Sequence, residues 1–171
     1  MNEKDLYTGI VYGNGNLTYY LDEKCEKPYT GHIEVIYDGK LQEEFDVVDG
    51  LRNGIEKQYT NGVLTWISET KGNRCFGFGV EYYLSGAFKT IAIWWDDDWV
   101  LAYSYSEDGH NVERSEMSAR EKRLGYAINP NPDNFFELVT IEDLEKMNEE
   151  ILKYGHPLNL PKGFEFVAPE K

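Results

Sequence analysis

The stretches YDGKL at residues 37–41 and YTNGVL at residues 59–64 decide how this chain reads. Each sets a tyrosine just before Asp-Gly or Asn-Gly and an apolar residue just after. Such dipeptides between runs of alternating polarity signal a two-residue hairpin turn, because both central residues need positive φ. Gly, Asn and Asp tolerate that backbone; β-branched residues do not. The same arrangement recurs outward as YGNGNL at 12–17, YLSGAF at 83–88 and YSEDGHNV at 105–112. The stretches align on Gly15, Gly39, Gly62, Gly86 and Gly109, separated by 24, 23, 24 and 23 residues. Spacing this regular marks an internal repeat. A second glycine opens each of the first four units (Gly9, Gly31, Gly54, Gly79), with Tyr12, Tyr37, Tyr59 and Tyr83 between the two markers. The fifth unit keeps Tyr105 but lacks the leading glycine, as terminal repeats often vary.

Each unit therefore predicts a β-hairpin. After the second turn Leu41, Phe45 and Val47 alternate with Gln42, Glu44 and Asp46, a period that buries one face of a strand and wets the other. Leu64 and Trp66 repeat the pattern more loosely against Thr65 and Glu69, and Trp66 takes the repeat position of Tyr19, which predicts a core residue. The fold class predicted is mostly β: about five hairpins in an elongated antiparallel sheet of about ten strands. The stretch WWDDDW (Trp94, Trp95, Asp96, Asp97, Asp98, Trp99) falls where one hairpin passes to the next. Asp49 and Gly72 hold the matching positions in the two earlier units. It reads first as an inter-hairpin turn and second as a site, because this turn alone concentrates three indoles and three carboxylates.

The repeats occupy residues 1–114, and residues 115–171 read as a helical cover. A capping-box pattern at 118–121 opens a short helix that should stop at Gly125, and a proline-marked loop follows at 127–134. The clearest helix starts at an N-cap Thr140, with Glu142 and Asp143 in its first turn, Lys153 in its last and Gly155 after it. Its apolar stripe is Ile141, Leu144, Met147, Ile151 and Tyr154. A repeat sheet needs its open end or face covered, and this helix supplies the cover.

The chain carries 31 acidic and 17 basic side chains, a net charge of −14. That opposes binding to nucleic acid or anionic lipid, both of which need cationic surface. It suits a basic protein partner. No apolar run reaches the roughly 18 residues needed to cross a bilayer, and MNEKDLYTG has no features of a secretion signal, so a cytoplasmic location is expected. Cys25 and Cys75 lie about four strands apart, on the order of 19 Å, whereas a disulfide needs Cα atoms within about 7 Å. His32, His110 and His156 do not cluster. There is no nucleophile elbow, phosphate loop, HExxH or metal-spaced Cys/His set. Glu43 and Glu44 are strand neighbours and point to opposite faces, so they cannot readily flank one bond. Neither catalysis nor a cofactor or metal is expected.

The tyrosine–x–glycine pair, the hairpin Asn-Gly or Asp-Gly and the period near 23, as in YTGHIEVIYDGKL and NGIEKQYTNGVL, resemble MORN repeats of the bacterial MORN-variant form. The resemblance covers residues 7–112 and implies a twisted sheet of successive hairpins. It also implies a role common among such proteins, as antitoxin or immunity partner of a toxin. An acidic sheet face would match the basic groove of a nuclease toxin, and Trp and Tyr are favoured interface anchors. The candidate contacts are Trp94, Trp95, Asp96, Asp97, Asp98 and Trp99, extended by Glu43, Glu44 and Asp46. The competing expectation is a MORN scaffold for a cellular protein.

Overall fold

The structure is a computed structural model that describes residues 1–10, 17–95, 97–116 and 140–160. A 3-10 turn, Glu3–Asp5, precedes the strands β1 (Tyr7–Ile10) and β2 (Leu17–Tyr20). Then come β3 (Gly31–Tyr37), β4 (Lys40–Val48), β5 (Leu51–Thr60), β6 (Val63–Lys71), β7 (Arg74–Tyr82), β8 (Phe88–Trp95), β9 (Asp98–Tyr105) and β10 (Val112–Glu116). One helix, α1 (Ile141–Tyr154), closes the described chain. Strands β3 to β10 form one antiparallel sheet in strict chain order, and β1 pairs only with β2. The expected single sheet of about ten strands is thus corrected to eight strands plus a separate pair. The turns expected around Gly15, the short helix at 118–125 and the loop at 127–134 lie outside the described residues.

Tight turns impose the chain order. Asp38-Gly39 (φ 52°, 74°) and Asn61-Gly62 (56°, 83°) close the hairpins that the repeat marks. Asp49-Gly50 (51°, 82°) and Gly72-Asn73 (59°, 69°) are equally tight, and they join one marked hairpin to the next. Two consecutive residues at positive φ match the right-handed twist of antiparallel neighbours, so neither end of the sheet allows a crossover. Register slips recur with the repeat. Gln42, Thr65 and Lys89 each stand unpaired between their neighbours in the ladder, just past the marked glycines Gly39, Gly62 and Gly86. Such β-bulges break strict alternation, which is why the polarity pattern after Gly62 looks loose.

At the other end, Asn53, Gly54 and Ile55 bulge against Asp46, and Phe76, Gly77 and Phe78 bulge against Glu69. Gly54 (φ 124°) and Gly77 (φ 91°) sit at the centre of these excursions, 23 residues apart. The structural equivalent of Gly54 in the next unit is therefore Gly77. Gly79, which the sequence aligns there, instead makes room for a side chain. The Trp94 indole lies over it, 2.6 Å from where a Cβ would stand.

The register shows how the two faces are used, since directly opposed residues share a face. One row runs Glu34, Glu44, Lys57, Ile67, Val80, Ile91, Tyr103, Arg114. It is charged across β3–β5 and apolar across β6–β9. The neighbouring row, on the opposite face, runs Ile33, Phe45, Glu56, Ser68, Gly79, Ala92, Ala102, Ser115. Its bulky apolar members lie on β3 and β4. The apolar face of the sheet therefore changes sides near β5.

Two covers match this change. Helix α1 packs Leu144, Met147 and Ile151 into a core with Ile67, Val80, Ile91, Leu101 and Tyr103. On the other face Tyr19 joins Ile33, Phe45 and Val47, with Leu6, Tyr29 and Val35 at the margin. Helix α1 begins as expected: Thr140 caps it in a reciprocal pair with Asp143, and Gly155 (φ 79°) ends it. The stripe departs from expectation at Tyr154, which is exposed with the Lys153 ammonium 4.9 Å from its ring centre. Asn148 takes a buried place instead, accepting a hydrogen bond from the Tyr105 hydroxyl. The outer edge of β3 is blunted by the N-terminal segment: the Glu34 amide donates to Met1 O at 2.9 Å, and the Met1 amine donates to His32 O at 3.0 Å.

Replacing Gly79 by Ala forces a methyl into the Trp94 ring, and overpacking of this kind costs roughly 1–3 kcal/mol. A thermal melt should show a clear fall in Tm. An unchanged Tm would mean that the indole does not sit there.

Candidate partner-binding end of the sheet

Three turns share the end of the sheet where marked hairpins join: Asp49-Gly50, Gly72-Asn73 and the one between β8 and β9, of which Asp97 is described. The last belongs to WWDDDW, where Trp94 opposes Trp99 and Trp95 opposes Asp98. The stretch is an inter-hairpin turn. Asp96 and the side chain of Trp95 lie outside what is described.

Asp97 is committed to the fold. At φ 69°, it accepts the Cys75 amide at 2.7 Å and Arg74 Nε at 2.9 Å, and its own amide donates to Cys75 O at 3.1 Å. This side chain pins the β8–β9 turn to the start of β7. Trp94 is half-buried and meets Trp66 edge-on, with centroids 5.6 Å apart. Trp66 is also half-buried rather than core, and its Nε1 donates to Ser68 Oγ at 2.9 Å. Trp94 Nε1 is buried with no partner among the described residues. Asp98 and Trp99 face outward, Trp99 being 41% exposed.

Beside this turn lies a cleft of about 340 Å³ lined by Leu17, Tyr19, Arg52, Glu56, Thr70, Asn73 and Cys75. Its walls join the two sheets: Asn73 Nδ2 donates to Leu17 O, and Asn73 Oδ1 accepts the Arg52 amide. Arg52 grips Glu43 with two bonds of 2.7 and 3.1 Å and Glu56 with one of 2.8 Å, its guanidinium 3.8 Å from the Phe45 ring centre. Burial works against the Arg52 charge, but the two carboxylates outweigh it and raise its pKa. Burial pushes Glu43 up from the ordinary carboxylate value against the pull of Arg52. Burial also lifts the Cys75 thiol to about 11, so it stays protonated at neutral pH. Cys25 and Cys75 are both free thiols.

Glu44 and Asp46 point the other way. Glu44 accepts from Tyr59 at 2.6 Å and pairs with Lys57 at 3.3 Å and His32 at 3.4 Å; Asp46 meets the same imidazole at 2.8 Å. Burial opposes ionisation of Glu44, but Tyr59, Lys57 and His32 hold its pKa below the ordinary value. The nine candidate contacts are therefore not one patch. Glu43 is locked to Arg52, Glu44 and Asp46 lie on the opposite face, and β4 is four strands from β8. Of the described candidates at the turn, Asp97, Asp98 and Trp99 are all exposed; Asp97 is tied by its side chain to Arg74 and Cys75, which leaves Asp98 and Trp99 as the outward pair for a partner. The Arg52 network escaped sequence reasoning because Glu43 reaches Arg52 only through the register of β4 with β5, and Glu56, four residues along the same strand, lies across the bulge at residues 53–55.

Among the described residues no group of three or more His, Cys, Asp or Glu side chains is placed to hold a metal, and no helix is long and apolar enough to cross a membrane. Comparison with models of known families, with curated proteins and with solved structures finds no match to the chain.

The two neighbouring aspartates should behave differently. Asp97→Ala removes acceptors from Cys75 and Arg74 and should lower unfolding stability by about 0.5–1.5 kcal/mol. Asp98→Lys breaks no side-chain bond among the described residues and should stay within about 0.5 kcal/mol of the parent. Denaturant midpoints check both, and equal losses would contradict these assignments.

Proposed function

We propose that this chain is a non-catalytic protein-binding module of the MORN-variant kind, acting as an immunity protein that neutralises a bacterial toxin with a basic surface. The observation that carries the proposal is the outward pair Asp98–Trp99 on a turn that Asp97 holds rigid. A large amphipathic ring beside an outward carboxylate is the composition of an interface anchor. Because the turn is already fixed by bonds to Cys75 and Arg74, little ordering entropy is lost on binding. The net charge of −14 supports a basic partner, since it speeds encounter with cationic surface and repels nucleic acid. In a nuclease toxin that surface would be the substrate groove. The cytoplasm is the compartment in which such an inhibitor would meet an incoming toxin.

Co-expression with the open reading frame beside this gene, scored by growth, tests the proposal. The neighbour alone should arrest growth, and this chain should restore it. Asp98→Lys should weaken the rescue and slow association with the purified toxin most strongly at low salt, with Tm unchanged. A harmless neighbour, or full rescue by a chain that does not bind it, would overturn the immunity role in favour of a scaffold for a cellular protein.

A further inference from the structure

The opposite end of the sheet carries a second cleft, of about 280 Å³, between the β9–β10 turn and helix α1. Its lining includes Phe88, Tyr105, Ile151 and Leu152 on the apolar side and Glu107 and Asp108 on the acidic side. No Lys or Arg is among the described residues that line it. Leu152 is 54% exposed, and Leu84, in the adjoining turn, is 58% exposed. The acids are held in place: Glu107 accepts from Ser85 Oγ at 2.8 Å, while Asp108 accepts from Ser106 Oγ at 2.6 Å and the His110 amide at 3.0 Å. The Ser106 hydroxyl, aided by the His110 amide, lowers the Asp108 pKa, so the group is ionised at neutral pH.

We propose that this cleft receives one bulky apolar side chain of a basic segment of the partner protein, with Glu107 and Asp108 taking the Lys or Arg residues that flank it. The inference rests on the protein-binding reading and gives that reading a second, separate contact. At about 280 Å³ the cleft has room for one large side chain and lies at the bottom of the roughly 300–1,000 Å³ range of small-molecule sites. Charge excludes nucleic acid and anionic lipid, which the acidic rim repels. A second copy of this chain, equally acidic, is disfavoured for the same reason. A basic segment with an apolar anchor satisfies both the floor and the rim.

The test is an NMR titration of the ¹⁵N-labelled full chain with two synthetic peptides, KKFKK and KKAKK. With KKFKK, the amides of Ser106, Gly109 and Leu152 should shift saturably. KKAKK should bind at least about tenfold more weakly, since the buried ring is lost. The E107Q/D108N variant should weaken KKFKK while leaving Tm near that of the parent. Equal affinity of the two peptides would reduce the effect to general charge attraction and overturn the proposal. Absence of saturable shifts would overturn it as well. Shifts confined to Asp98 and Trp99 would overturn the cleft yet leave the protein-binding reading standing. Failure of that reading shows separately, as absence of growth rescue.

Discussion

Turns with room for only two residues govern this molecule. From β3 to β7 the four connections are each a pair at positive φ, at both ends of the sheet. A chain so tightly reversed cannot cross over, so strand order equals chain order and each strand's register is set by the turn before it. A long open sheet built this way has two faces and no closure. Each face must find a cover or present polar groups to water.

This chain does both, by changing sides. The first strands turn their apolar residues toward the N-terminal pair of strands, and the later ones turn theirs toward helix α1. Near the crossover sits Arg52, with Glu43 and Glu56 around it and Phe45 beneath. Buried pairs of this kind contribute little net stability relative to apolar packing, but leaving one partner alone is costly. Their effect here is to tie β4 and β5 at the point where neither cover is complete. Glu69, across from the β7 bulge, shows the opposite case: one carboxylate oxygen is buried with no partner among the described residues, and burial lifts its pKa to about 7.

Much of this was legible in the sequence. Asp38-Gly39 and Asn61-Gly62 announce their turns through the φ they require, and Thr140 and Gly155 announce both ends of helix α1. The position of WWDDDW as an inter-hairpin turn follows from the period alone. What was hidden depends on register. Bulges at Gln42 and Thr65 shift the alternation without any change in composition. Gly77 and Gly79 both fit the repeat by count, and only the ladder shows that one relieves a bulge and the other admits an indole. Glu43 looked like part of an acidic surface because its partner Arg52 lies nine residues on, beyond a turn. The docking of the separate β1–β2 pair on the main sheet rests on hydrogen bonds from Tyr19 to Gly50 and from Asn73 to Leu17, which no local pattern encodes.

A frame of this kind leaves rigid ends. Side chains fixed by turns, rather than carried on long loops, keep their geometry before a partner arrives, and the two proposed contacts lie at the two ends. The frame itself depends on the change of faces, because that change decides where each cover packs. Equilibrium unfolding of an alanine series along one row tests it most directly. Ile67→Ala and Ile91→Ala should each cost about 2–5 kcal/mol, whereas Glu34→Ala and Lys57→Ala in the same row should cost under about 1 kcal/mol. Phe45→Ala, on the opposite face, should cost about 3–5 kcal/mol. Similar losses at all four positions of the row, or a small loss at Phe45, would contradict a sheet whose core changes sides.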